Sequence, residues 1–202
     1  TVDGKVFTSD VTVVNDPRAG ESPALMAALR IQNKLTLLSV QGMEHSFEGH
    51  EEVNSVEDQL ATLMKGNLPA DVAAQAKTLE ASLTKIGGDT GGGRGGGGGA
   101  GGGGGRGGRG ASDPKALQSF AELNNAFNTM VSMMQVGLDM APTPTQIATW
   151  QKDCTDLNRT RTAWEDARKQ ITGFNAMLVK NNLQEMKVGP ARLTASACSF
   201  AP

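Results

Sequence analysis

Tyrosine is absent from this 202-residue chain, and two Trp with six Phe bring the aromatics to 4%. That scarcity, beside plentiful Ala, Leu and Met, argues against a β-sandwich and for helix packed on helix. An excess of charge is missing too: 19 Lys and Arg against 21 Asp and Glu leave −2. No electrostatic case follows for nucleic acid or anionic lipid as partner. Apolar runs never approach the roughly 18 residues of a membrane span, and no charged n-region precedes an apolar core, so neither span nor signal peptide is read. Cysteine occurs twice, at Cys154 and Cys198, which allows one intramolecular pairing. Glycine, by contrast, is abundant at 26 residues, many in one block that no core can use.

Residues 143–180 organise the rest. Ile147, Trp150, Cys154, Leu157, Arg161, Trp164, Arg168, Ile171, Asn175 and Leu178 follow at alternating steps of three and four. This is the seam of a long helix, interrupted by two arginines and one asparagine. Thr143 or Thr145 can cap it, and Pro142 and Pro144 stand where a first turn tolerates proline. About 35 residues make a rod of roughly 50 Å, which needs neighbours of similar length to bury its stripe.

At the start, Thr1-Val2-Asp3-Gly4-Lys5-Val6 has the form of a β-hairpin with Asp3-Gly4 in a type I′ turn. A strand to Val14 follows, with Val11 and Val13 on one face. Two residues ahead of the turn cannot make an arm, and a lone strand leaves its backbone groups unsatisfied. The missing sheet is therefore expected upstream in a longer polypeptide or in another chain; a frayed arm is the plainer alternative. Asn15-Asp16-Pro17-Arg18 ends the strand.

Ser22 with Pro23 opens a helix. Ala24, Ala28, Ile31, Leu35, Leu38 and Gly42, then Val53, Val56, Leu60 and Leu63, continue one face to about Lys65. Gly42 and Gly49 leave open one kinked helix or two shorter ones. A second helix over residues 70–86 turns Val72, Ala76, Leu79, Leu83 and Ile86 inward and stops at Gly87-Gly88. Residues 91–110 are almost pure glycine, with Ala100, Arg94, Arg106 and Arg109. They read as a tether with a mean reach of about 25 Å, and arginines without aromatics make a poor nucleic-acid segment. Asp113-Pro114 is expected to begin a third helix with the seam Leu117, Phe120, Asn124, Phe127, Val131, Met134 and Leu138. The short junction through Pro142 sets it antiparallel to the fourth. Beyond Leu183 no periodicity is usable.

Several segments resemble the C-terminal region of large secreted bacterial proteins built on a sortilin-like, BNR-repeat β-propeller. They are Thr1-Val2-Asp3-Gly4-Lys5, the strand ending Val11-Thr12-Val13-Val14-Asn15-Asp16-Pro17-Arg18, Ala-Pro-Thr-Pro-Thr-Gln at 141–146, and Trp164 followed by Phe174-Asn175-Ala176-Met177-Leu178. The resemblance implies an exported protein, periplasmic, cell-surface or extracellular, whose propeller precedes an Ig-like β-domain with a helical bundle last. Many relatives are labelled glycosyl hydrolases, a label that belongs to the propeller. The glycine tether and the tail with Cys198 depart from the pattern. Export would favour a Cys154–Cys198 disulfide pinning the tail to the fourth helix, worth roughly 4 kcal/mol by loop closure. The competing reading is a buried thiol at Cys154 and a free Cys198.

Among polar clusters, residues 44–52 are the densest, and on a helix His45, Glu48 and Glu52 would share a face at a spacing able to ligate a metal. The H-E-x-x-H pattern is missing, since Asn54 stands where the second histidine would, and a solvated face is the default. Arg161 and Arg168 must reach past the core or meet carboxylates, with the 44–52 cluster one candidate. Methionines at 130, 133, 134 and 140 suit either core or an adaptable surface.

The expected architecture is mainly α: an antiparallel bundle of three to four long helices, preceded by a terminal β-hairpin or strand of an upstream Ig-like β-domain. Residues 1–18 end that domain, 22–86 form the first helical half, 87–112 a flexible glycine-rich linker, 113–182 a helical hairpin and 183–202 a tail. The expected function is a non-catalytic interaction or structural module without cofactor or catalytic residues. Its partner is the upstream polypeptide or another protein chain, with oligomeric assembly open. The alternative is an accessory fragment of a glycoside hydrolase-like enzyme whose active site lies upstream.

Overall fold

The computed structural model describes residues 8, 10–12, 22–88, 116–136 and 140–200. Among these residues four helices form: α1 (Pro23–Met64), α2 (Ala70–Gly87), α3 (Phe120–Val136) and α4 (Pro144–Lys180). Among the described residues there is no strand. The expected hairpin over residues 1–6 and Val13 lie outside the described residues, as does most of the glycine-rich stretch. Thr8, Asp10, Val11 and Thr12 are exposed and unpaired in any strand.

Local chemistry sets the helix starts. Ser22 Oγ accepts from Leu25 N at 3.1 Å with Pro23 in the first turn. At α4 the cap is Thr143: its Oγ1 accepts from Gln146 N at 3.2 Å while Gln146 Oε1 accepts from Thr143 N at 2.7 Å, a reciprocal capping box. The third helix departs from expectation. Residues 116–119 are not helical, and α3 starts at Phe120 behind a second box, in which Ser119 Oγ accepts from Glu122 N at 3.3 Å and Glu122 Oε2 from Ser119 N at 2.8 Å. Proline merely permits a first turn, whereas this pair satisfies two orphan donors, so Ser-Phe-Ala-Glu outranks Asp-Pro.

Contacts fix the helix directions. Gln32 reaches Met134 O, Asn124 reaches Met43 O, and Gly49 meets Phe120, so α1 and α3 run antiparallel. His50 and Glu57 of α1 meet Gly87 and Thr84 of α2, again antiparallel. Gln118 O, just ahead of α3, accepts from Thr160 of α4, and Glu52 of α1 faces Trp164 and Arg168 of α4. Both α2 and α3 thus descend between two ascending rods. Gly88 closes α2 at φ 79 with Ser119 against it, so the end of α2 abuts the start of α3. The fold is a bundle three helices thick whose middle rod comes in two pieces, of 18 and 17 residues, beside the 42 of α1 and 37 of α4.

A single core of Leu35, Val53, Leu60, Leu79, Leu83, Phe120, Phe127, Trp164, Ile171 and Leu178 runs the length of this assembly. The two glycines of α1 do not divide it; α1 is one helix. A Cβ on Gly42 would lie 2.6 Å from the Phe127 ring, and one on Gly49 would lie 2.6 Å from the Phe120 ring. Glycines seven apart receive rings seven apart on an antiparallel neighbour, which brings the two backbones close. Leu123 and Met130 are also buried on α3, while Met133 and Met140 are exposed, so the methionines divide between core and surface.

Candidate functional site

After α4 the chain turns through Asn181 and Asn182 and returns along the groove between α1 and α4 as a strap over residues 183–200. It moves from 186 to 196 while the helix beside it runs back from 175 to 158. That is about 2.6 Å per strap residue, close to extended chain. With no strand beside it among the described residues, its backbone takes partners from side-chain amides. Asn175 Nδ2 donates to Met186 O at 2.8 Å and Asn175 Oδ1 accepts from Met186 N at 2.9 Å. Gln59 does the same with Lys187, at 2.9 and 2.7 Å, and Asn158 with Ser196, at 2.9 and 3.0 Å. Each amide reproduces the donor and acceptor pair of a neighbouring β-strand.

The strap ends in a covalent lock. Cys154 and Cys198 form a disulfide with Cα atoms 5.5 Å apart, within the span such bonds require. The edge of Phe200 meets Trp150 at 6.0 Å between centroids, with Lys34 Nζ 5.5 Å from the Phe200 ring. Between these anchors Ala195, Ser196 and Ala197 border a cavity of about 260 Å³ that Leu38, His45 and Trp150 also line.

The polar breaks in the α4 seam are explained here. Arg168 donates to Gly189 O, stands 3.5 Å from Glu52 and lies over the Trp164 ring. Arg161 pairs with Glu165 and borders Ala191–Leu193. Asn175 clamps Met186. The candidate metal residues take different neighbours: His45 Nδ1 lies 3.3 Å from Ser196 Oγ, Glu52 accepts from Trp164 Nε1 at 2.8 Å, and Glu48 is exposed. No group of three or more His, Cys, Asp or Glu able to hold a metal gathers among the described residues. No described helix is long and apolar enough to cross a membrane.

Gln59 and Asn158, which seize the strap, escaped the sequence reading altogether. Neither interrupts an apolar seam, so the sequence carried no signal for them; the polar breaks Arg161, Arg168 and Asn175 marked only part of the strap's seat. Compared with protein-family models, curated proteins and solved structures, the chain matches none.

Proposed function

We propose that this chain is a non-catalytic interaction and structural module, the helical C-terminal part of a larger exported β-propeller protein of the sortilin-like, BNR-repeat kind. It docks on its own upstream domains or on another protein chain. The observation that carries this reading is the use made of its polar side chains. Gln59, Asn158 and Asn175 each hold both main-chain groups of a strap residue, while Thr160 and Asn124 bond carbonyls of neighbouring segments. Side chains engaged in this way join segments into one rod. The upstream sheet rests on the sequence pattern of residues 1–18, in which Val11 and Val13 would share one face of a strand completing an Ig-like domain. The disulfide supports an oxidising destination, as for an exported protein.

The test is co-expression with the upstream stretch of the parent polypeptide. Co-purification and slowed amide exchange at residues 10–12 are expected; a chain that remains separate, with those amides unprotected, would end the reading. Turnover by the parent should be the same with and without residues 1–202.

A further inference from the structure

The strap is held by contacts that read its backbone and by one covalent bond, with few deep side-chain anchors. Among its described side chains Met186 is buried, whereas Leu183, Val188, Leu193 and Phe200 are half-buried. Where residues 195–197 pass, Ser196 is the one side chain of the three that is not exposed, and a cavity of about 260 Å³ remains beside it. Departure from α4 goes through Asn182 at φ 58, a left-handed conformation that asparagine tolerates and that sets the exit direction. An element with few buried apolar contacts opens before the core does. Every clamping atom belongs to α1 or α4 and every clamped atom to residues 186–198, so the same bonds can form between two chains.

We propose that the strap is exchangeable and that its second seat is another copy of this chain, each copy laying residues 183–200 into the α1–α4 groove of the other, with Cys198 bonded to Cys154 of the second copy. A second copy is the occupant the residues specify. Its tail carries Met186 and Lys187 for Asn175 and Gln59, Ser196 for Asn158, a cysteine two residues later and Phe200 for Trp150, all in register. Contacts are equal within and between chains, so the balance follows the effective concentration of the tethered strap against the concentration of chains. Oxidation then fixes the arrangement present when it occurs. The two thiols give two electrons and two protons to a small-molecule disulfide, which leaves as two thiols. This inference goes beyond docking to an upstream domain and stands without it.

The test uses full-length chains carrying Cys154→Ala or Cys198→Ala, neither able to close its own bond. Mixed in equal amounts and oxidised with glutathione disulfide, they should yield a covalent one-to-one heterodimer on a non-reducing gel, with the Cys154–Cys198 bridge found by peptide mapping. A register control replaces the strap donor with a chain bearing Cys154→Ala, Cys198→Ala and Ala197→Cys. Position 197 faces the opposite side of an extended chain, so its yield should fall about tenfold. Absence of heterodimer from variants that retain their helical circular dichroism overturns the proposal. Equal coupling from position 197 also overturns it, since loose tails would then be colliding with an open Cys154. If a variant does not fold, wild-type chain is reduced and reoxidised at rising concentration. An interchain Cys154–Cys198 bridge that grows with concentration is expected, and monomer at every concentration overturns the idea.

Discussion

Glu57 sits half-buried where α1 meets the end of α2, accepting from the Thr84 hydroxyl at 3.2 Å. Burial pushes its carboxyl above the ordinary 4.5, outweighing the Thr84 bond and nearby His50, with Glu80 and Asp58 adding to the rise. A carboxyl that holds its proton more tightly folded than unfolded stabilises the fold when protonated. That contribution is full below the ordinary value and is lost as pH rises through the raised one. Glu57→Gln should flatten this decline and leave the protein somewhat more stable at neutral pH; denaturant midpoints of both proteins from about pH 4 to pH 7 would show it. Gly49 offers a second measurement. Alanine there gains up to about 1 kcal/mol of helix propensity, but its Cβ overlaps the Phe120 ring, and overpacking costs about 1–3 kcal/mol. Gly49→Ala should therefore lower stability by about 1 kcal/mol, and adding Phe120→Leu should recover part of the loss in a denaturant titration. Neither effect is legible in the sequence, where a mid-helix glycine reads as a weak point rather than as room for a ring.

At the scale of elements, the middle rod shows what periodicity does and does not reveal. Buried positions 72, 76, 79, 83 and 86 of α2 and 120, 123, 127, 130 and 134 of α3 both step by four and three. If Phe120 is placed where residue 90 would fall, the two series become one. Ser119 against Gly88 shows that the ends already meet. Removing residues 90–119, with Gly88→Ala to suit a continuous helix, should leave a folded bundle of no lower melting temperature, because a loop-closure cost of about 3 kcal/mol disappears with the insert. Circular dichroism melts of the two proteins decide it; loss of cooperative melting would show that the broken helix needs its interruption. The caps of α1 and α4 were readable because capping is local chemistry among residues three apart. The start of α3 was misread by the same local logic, with a permissive Asp-Pro preferred to Ser119 and Glu122. For α4 the alternating seam and its three polar interruptions were also plain in the sequence, although their purpose was not.

For the whole molecule, the strap and its disulfide set the last part of the stability. A bridge spanning 44 residues restrains the unfolded chain by about 4 kcal/mol. Reduction, or Cys154→Ala with Cys198→Ala, should lower the unfolding free energy by about 2–4 kcal/mol. Amide exchange at residues 186–198 should quicken before that of the core helices. Uniform acceleration across α1 and α4 would instead make the strap part of the core. By itself the sequence determined the helices, most of their limits and the apolar stripes that must be covered, because these follow from a 3.6-residue period and from bonds between near neighbours. Tertiary structure alone decided that α2 and α3 share one rod, that Gly42 and Gly49 admit two rings, and that the tail lies in the α1–α4 groove. Those contacts join residues far apart in the chain, and a side-chain amide such as Gln59 or Asn158 gives no sign of which distant backbone it will hold until packing brings the two within reach.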